Sequence, residues 1–518
     1  MRRSWFHRPS LLALTGAALA TAVASPAVEV RAQEPERPPE RLFRLPGALA
    51  GGLAGAVFTM TNSADPAMGN EVVAFNRLDD GSLVVAGYYP TGGLGGGPAP
   101  TSVVFGARVP ANADALGSQN SLLLSDDGSQ LFAVNAGSDS ITCFPVQTNE
   151  SGTTLGSPTT VPSGGVFPAS LTFRRTGANR GVLYVLNAGR AGNITGFQVP
   201  ANCALSRLQG GQRSLAGLIS DPPFGRPPPN EVLTTADMIA FTPDGSQLVV
   251  AIKGGPEADG EGGFEGGVAV FGVAPLGRLV GQPPTVTEFS TDADTAGPFS
   301  FVFDENGNMV LNHANSFTVA SYTIDDSGAL TPNGAPVPIS GVGGDSPLAF
   351  GGFNCWIVRR GDLIYVMTFG DIPATSGGLP DGPGVISALQ IADDGSLTLL
   401  EETAAVLPQA DRDALGPDGP VPGQVFGNHG IDMAVVEDDD GDFLYALQPR
   451  VGQVRVWEIN DDGTLDLVGD FGGGLTPGVD PFAGTNPGIN AFLRRCFLQG
   501  DTLSPECTQG SIQGIAGF

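Results

Sequence analysis

The sequence predicts an all-β chain folded as one seven-bladed β-propeller, with four-stranded blades and a ring closed by the C-terminal strand pairing with the N-terminal blade. Three observations carry that expectation. A short apolar strand recurs seven times, starting near Val57, Leu131, Leu183, Leu248, Met309, Ile364 and Leu444, and each leads through a loop of variable length to a second strand. A fixed set of short strands with irregular insertions between them is how a radial array of small sheets reads in sequence. The second strand often ends at Asp-Gly followed by Ser or Thr, as at Asp80-Gly81, Asp394-Gly395 and Asp462-Gly463, a hairpin chemistry that matches strand twist. Finally, 76 Gly and 43 Pro among 518 residues accompany a 41% hydrophobic content, which suits many turns around a packed core.

Taken in order, residues 1–32 read as a secretory signal. Arg2, Arg3 and Arg8 precede an apolar run from Leu11 to Val23, and small residues then offer cleavage after Ala24 or Ala32. The apolar run is short for a membrane span. Residues 33–50 form a Pro- and Glu-rich disordered lead, and residues 51–518 form the single propeller, with a C-terminal insertion at about 472–509. Within the propeller, each recurring strand is preceded by another, beginning at Ser121, Ser170, Met238, Ser300, Cys355 and Asp432. Only six such preceding strands lie inside the chain, so the blade at Val57 lacks its innermost strand. Residues Gly514 to Phe518 match the spacing around Ser121 and are expected to supply it, which removes the open edges of a linear sheet.

A net charge of −28 makes nucleic acid and anionic membrane surfaces poor partners, because phosphates are repelled. Asp residues in turns, where the carboxylate accepts bonds from its own backbone, account for much of that acidity. Five cysteines in an exported chain suggest disulfides with one thiol left over. Cys496 and Cys507 are the favoured pair. A bridge between Cys143 and Cys203, on equivalent strands of neighbouring blades, is a second option that leaves Cys355 as the thiol. No cysteine or histidine grouping has zinc-site spacing, no cofactor motif stands in a suitable setting, and the carboxylates of Asp438 to Asp442 read as turn residues, so no metal or cofactor is expected.

The segment from Gly117 to Ile141, GSQNSLLLSDDGSQLFAVNAGSDSI, resembles a stretch that the seven-bladed lactonase family typically writes as GSQGSLVLSPDG…LFAVNAGSDSIS. That family includes 6-phosphogluconolactonase-like and carboxymuconate-cyclase-like proteins. Further matches fall at Leu186 to Gly189, Phe241 to Gly245, Cys355 to Val358 and Ile431 to Ala434, so the resemblance runs from about Ala56 to the C-terminus. Most of these residues build blades, and the resemblance implies fold more firmly than chemistry. Asn312-His313-Ala314 stands where relatives often read Ser-Glu-Ala, so a carboxylate role does not carry over to that position.

In a propeller the innermost strands line a central channel, and the loops leading into them form the funnel where small molecules bind. Gln119, Asn120, Asp237, Asn354 and Asp432 stand at the start of such strands and are candidates for substrate binding or for hydrogen bonding in the channel wall. After signal removal only His313 and His429 remain as proton carriers suited to neutral pH. His429 precedes an inner strand, with Asp432 placed to orient it, and His313 ends the next strand of its blade. Each has a structural alternative, as a loop cap or a strand-end residue. Lys253, the sole lysine, ends a strand where an anionic group could be met, and Arg174, Arg359 and Arg450 are weaker versions of it.

The expected function is that of an exported, periplasmic or extracellular, lactonase-like propeller. It would hydrolyse a small lactone, or cyclise a carboxymuconate-type substrate, at the central channel. His429 or His313 would move the proton, while Lys253, Gln119, Asn120 and Asp432 bind substrate. The alternative is a non-catalytic binding or scaffolding propeller, since one fold hosts many functions. A small-molecule substrate is the expected partner, with no nucleic acid and no membrane after signal cleavage.

Overall fold

The computed structural model describes residues 52–96, 99–104, 107–112, 116–190, 192–216, 236–253, 266–289, 294–339, 349–350, 354–368, 372–373, 384–407, 430–438, 441–448, 453–472 and 513–518. They form seven antiparallel blade sheets of four or five strands and two separate two-stranded ribbons, Ala99–Val104 with Ala107–Asn112 and Ala349–Phe350 with Ile372–Pro373, with no α-helix among them. Blade 2 begins with Leu122–Leu124, blade 3 with Pro168–Gly177, blade 4 with Ala236–Phe241, blade 5 with Pro298–Phe303, blade 6 with Asn354–Arg360 and blade 7 with Ile431–Val436. Each of these strands is the first in its sheet, and the recurring apolar strand of the sequence lies second. Blade 1 takes its first strand from the opposite end of the chain. Gln513–Gly517 pairs with Leu53–Met60, setting Phe58 opposite Ala516 and Thr59 opposite Ile515, as the ring-closure expectation requires. The signal and lead segments, the 472–509 insertion, Cys496, Cys507, His429 and Arg450 lie outside the described residues, except that Gly472 is described.

The second strands are buried on both faces, as in Gln130–Asn135 and Leu363–Thr368, because each blade is covered by its neighbour on either side. Large side chains fill the spaces between blades: Phe58, Phe132, Phe144, Phe197, Phe301 and Trp356 are all buried. Tyrosines pin some of these junctions. Tyr184 of blade 3, Tyr365 of blade 6 and Tyr445 of blade 7 each donate a hydroxyl hydrogen bond to the outer-hairpin carbonyl of the next blade, at Gly277, Gly463 and Gly81, over 2.8, 3.1 and 3.2 Å. Burial pushes all three phenols up, so the donors stay protonated.

Asp-Gly-Ser/Thr turns join first strands to second, at Asp127 and Asp244, and third strands to fourth, at Asp80, Asp394 and Asp462. In each, the aspartate accepts the N–H two residues on, as Asp80 does from Ser82 (3.0 Å) and Asp462 from Thr464 (3.0 Å), and the hydroxyl of that same residue, with the N–H second, holds the carboxyl below its ordinary range. The following glycine is left-handed, with φ 77° at Gly81 and 86° at Gly463.

Cys143, in the third strand of blade 2, is bridged to Cys203, in the turn after the third strand of blade 3, with Cα atoms 5.5 Å apart. The disulfide therefore ties neighbouring blades, and Cys355 keeps a buried thiol. The last junction, from blade 7 back to blade 1, holds the buried Arg77. Its guanidinium donates to Ala54 C=O (3.0 Å) and Phe518 C=O (3.4 Å) and pairs with Asp438. Arg360 pairs with Asp442, so the acidic run of blade 7 serves inter-blade ion pairs at both its ends.

Candidate functional site

The inner strands share a local irregularity at the end where they begin. In every blade whose ladder is described there, the register slips by one residue, so that Ala169, Asp237, Cys355, Asp432 and Gly514 are extra residues relative to the second strand; in blade 5 the slip falls between Pro298 and Phe301. Such bulges turn a side chain out of the sheet's alternation and occur beside sites. Two of the sequence candidates, Asp237 and Asp432, occupy them. Both are buried, and each carboxylate accepts the N–H of the following residue, Met238 or Met433, at 3.0 Å. Asp432 is left-handed at φ 52°, as is Asn120 at φ 63° on the corresponding approach to blade 2.

Lys253 follows the second strand of blade 4, whose ladder ends with Ile252 opposite Ala236, at the same end of the channel as the bulges. Its ammonium is buried, lies 4.6 Å from the centre of the Phe299 ring, and donates to Gly117 C=O in the approach to blade 2. The aromatic face and the carbonyl oxygen are both groups that attract an ammonium. Two residues on, Gln119 is also buried. Its amide oxygen accepts from Ile357 N–H (3.2 Å) and its amide nitrogen donates to Ile357 C=O (2.7 Å). Lys253 and the 117–120 segment are thus brought together, but the Gln119 amide is engaged by backbone rather than offered to a ligand.

His313 is placed differently. It ends the second strand of blade 5, opposite Thr318, where blades 2 and 3 carry Asn135 and Asn187. It has no exposed surface. Its Nε2 meets the Tyr322 hydroxyl at 2.9 Å, and Phe289 of blade 4 lies edge-on at 4.8 Å. Burial pushes its pKa down to about 3, against a smaller opposing effect of the Thr295 backbone, so the imidazole is neutral. This placement counts against the proton-carrier expectation for His313: the ring is sealed into the junction of blades 4 and 5, much as Asn135, at the equivalent place in blade 2, pins blades 1 and 2 through Asn70 (3.0 Å) and Thr91 (2.7 Å). Asn354 donates to Thr318 C=O at 2.8 Å. Arg174 and Arg359 are likewise engaged with backbone carbonyls, at Pro275 (3.0 Å) and Gly361 (2.6 Å).

Sequence reasoning did not single out Phe299, and it took Ser300 only as the start of an inner strand. Phe299 faces the Lys253 ammonium, and Ser300 bridges blades 5 and 6 by donating to Cys355 C=O. The signal available for them was their position at the start of an inner strand. Among the described residues no cluster of three or more His, Cys, Asp or Glu side chains is arranged to hold a metal, and no helix is long and apolar enough to cross a membrane.

No protein-family model matches the chain, and no curated protein matches it by sequence. Among solved structures, the chain is similar to a protein from Lactobacillus plantarum, with a TM-score of 0.50 and 16% identity over 80% of this chain and 96% of the other. A periplasmic gluconolactonase of Pseudomonas aeruginosa aligns with a TM-score of 0.48 and 16% identity over 80% and 95% of the two chains. At these identities the likeness is one of fold, and the architecture on which it rests is the seven-bladed propeller.

Proposed function

We propose that this is an exported lactonase-like propeller that acts on a small carboxylated or lactone substrate at the end of the channel where the inner strands begin. The observation that carries the reading is the placement of Lys253. The sole lysine is held buried at that end, against Gly117 C=O and the Phe299 ring, where an ammonium interacts more strongly with an anion than it would in water. The sequence resemblance supplies the reaction class. In lactone opening, water attacks the ring carbonyl while His429 takes its proton, Lys253 stabilises the oxyanion, the ring C–O bond breaks, and His429 returns the proton to the leaving alkoxide. Asp432 orients His429. Cyclisation of a carboxymuconate uses the same ammonium on a carboxylate and the same proton carrier.

The inter-blade disulfide supports an oxidising compartment and hence export. N-terminal sequencing of the mature protein should give Ser25 or Gln33, and recovery of an intact residue 1 would refute processing. For the reaction, lactone and muconate turnover should be measured in the wild type and in His429→Ala. A loss of roughly 10²–10⁴-fold is expected for general acid–base catalysis, and equal activity would remove His429 from the mechanism. One observation favours the non-catalytic alternative: Gln119 and His313 are committed to holding blades together. That reading predicts saturable carboxylate binding without turnover.

A further inference from the structure

Each inner strand is the edge of its sheet, so a row of its N–H and C=O groups turns toward the axis and requires partners. In blades 3, 4 and 5 the preceding blade supplies them. Leu171 N–H donates to Asn120 C=O (2.9 Å), Ile239 N–H to Ser170 Oγ (3.2 Å) and Phe301 N–H to Met238 Sδ (3.2 Å). The first two donors stand two residues beyond their bulges at Ala169 and Asp237. In blade 6 the residue two beyond the bulge at Cys355 is Ile357, and here the pattern breaks. Its N–H and C=O are both taken by the Gln119 amide, which belongs to blade 2.

Blades 2 and 6 are not neighbours in the ring, because blades 7 and 1 stand between them on one side and blades 3, 4 and 5 on the other. The Gln119 side chain therefore crosses the axis. The residues before it are fastened in other directions: Ser118 Oγ donates to Ala169 C=O in blade 3 (2.8 Å), and Lys253 reaches Gly117 C=O from blade 4. We infer that residues 117–119 form a bar across the axial channel, fastened by Gln119, which closes the channel at the level of Ile357. Ligands then approach the inner strands from one end at a time, and the end bearing Lys253 is a blind cup rather than part of a through-passage. Gln119 is a positioning residue. It uses its amide on Ile357, and through the chain it holds Gly117 C=O against the Lys253 ammonium.

Amide hydrogen exchange of the full chain tests the bar independently of any reaction, so absence of lactone turnover would leave the result intact. In Gln119→Ala, exchange of the Ile357 amide, measured relative to Ile239, should quicken roughly tenfold, the effect of one lost hydrogen bond of ordinary net strength. An unchanged ratio would overturn the inference. Gln119→Glu provides a second arm in a side chain of nearly the same shape. Its carboxylate accepts from Ile357 N–H but has nothing to donate to Ile357 C=O until it is protonated. At about pH 7 this variant should therefore keep the Ile357 amide nearer wild-type protection than Gln119→Ala does, because the acceptor of that N–H is retained. Equal quickening in the two variants would also contradict the bar.

Discussion

His313 and Lys253 are both buried, and their surroundings differ in kind. His313 is enclosed by Phe289 and Tyr322 and held neutral, with its pKa near 3 against an ordinary 6.5. The unfolded chain therefore binds a proton at mildly acidic pH that the native protein does not, and stability falls as the pH drops below 6.5 and levels off near 3. Between pH 7 and 4 this one group should cost roughly 3 kcal/mol. His313→Asn, which installs the residue found at the same place in blades 2 and 3, should flatten that part of the pH–stability curve in chemical denaturation; an unchanged slope would show that another group carries it. Scarcity singled out His313 in the sequence, but its role depends on Phe289, which the preceding blade delivers, and nothing local to residue 313 announces that contact. Lys253 was legible for the same reason of scarcity, and its ring and carbonyl partners were not, because both come from other blades.

At the scale of the element, the second strands and the hairpin turns were legible because their signals are local: apolar runs of four or five residues, and Asp-Gly-Ser/Thr. The Leu-Tyr or Ile-Tyr pair at Tyr184, Tyr365 and Tyr445 was visible as part of the repeat, although a hydroxyl partner one blade away has no sequence signature. Tyr365→Phe leaves the Gly463 carbonyl without this donor and should destabilise the protein by about 1 kcal/mol in urea titration. The bulges could not be read from sequence, since one extra residue in a ladder is seen only against the partner strand. At Gly514 the bulge is left-handed (φ 65°), and an added Cβ would lie 2.7 Å from Leu122 Cβ and Ser121 Oγ. Gly514→Ala should therefore cost about 2 kcal/mol or more through strain at the closing strand.

For the whole molecule, closure is what turns seven sheets into one body. The pairing of Gln513–Gly517 with Leu53–Met60 joins the two ends of the described propeller, and Arg77 links Ala54, Phe518 and Asp438 across that seam. Arg77→Ala takes a buried guanidinium from Ala54 C=O, Phe518 C=O and the partly exposed Asp438, and a loss of roughly 1–3 kcal/mol is expected. The disulfide acts two junctions further round, between blades 2 and 3. Its 60-residue separation predicts that removing both Cys143 and Cys203 lowers stability by about 4 kcal/mol on the chain-entropy account.

The functional account rests on the Lys253 ammonium as the anion-binding group of a blind cup at the bulged end of the channel. Turnover of a panel of small lactones by wild type and Lys253→Met, followed by acid release in a pH-stat, tests it most directly. The account predicts measurable hydrolysis by the wild type and a fall in kcat/KM of roughly a hundredfold or more in the variant, the scale of losing one preorganised oxyanion donor. Equal kcat/KM in the two proteins would contradict it.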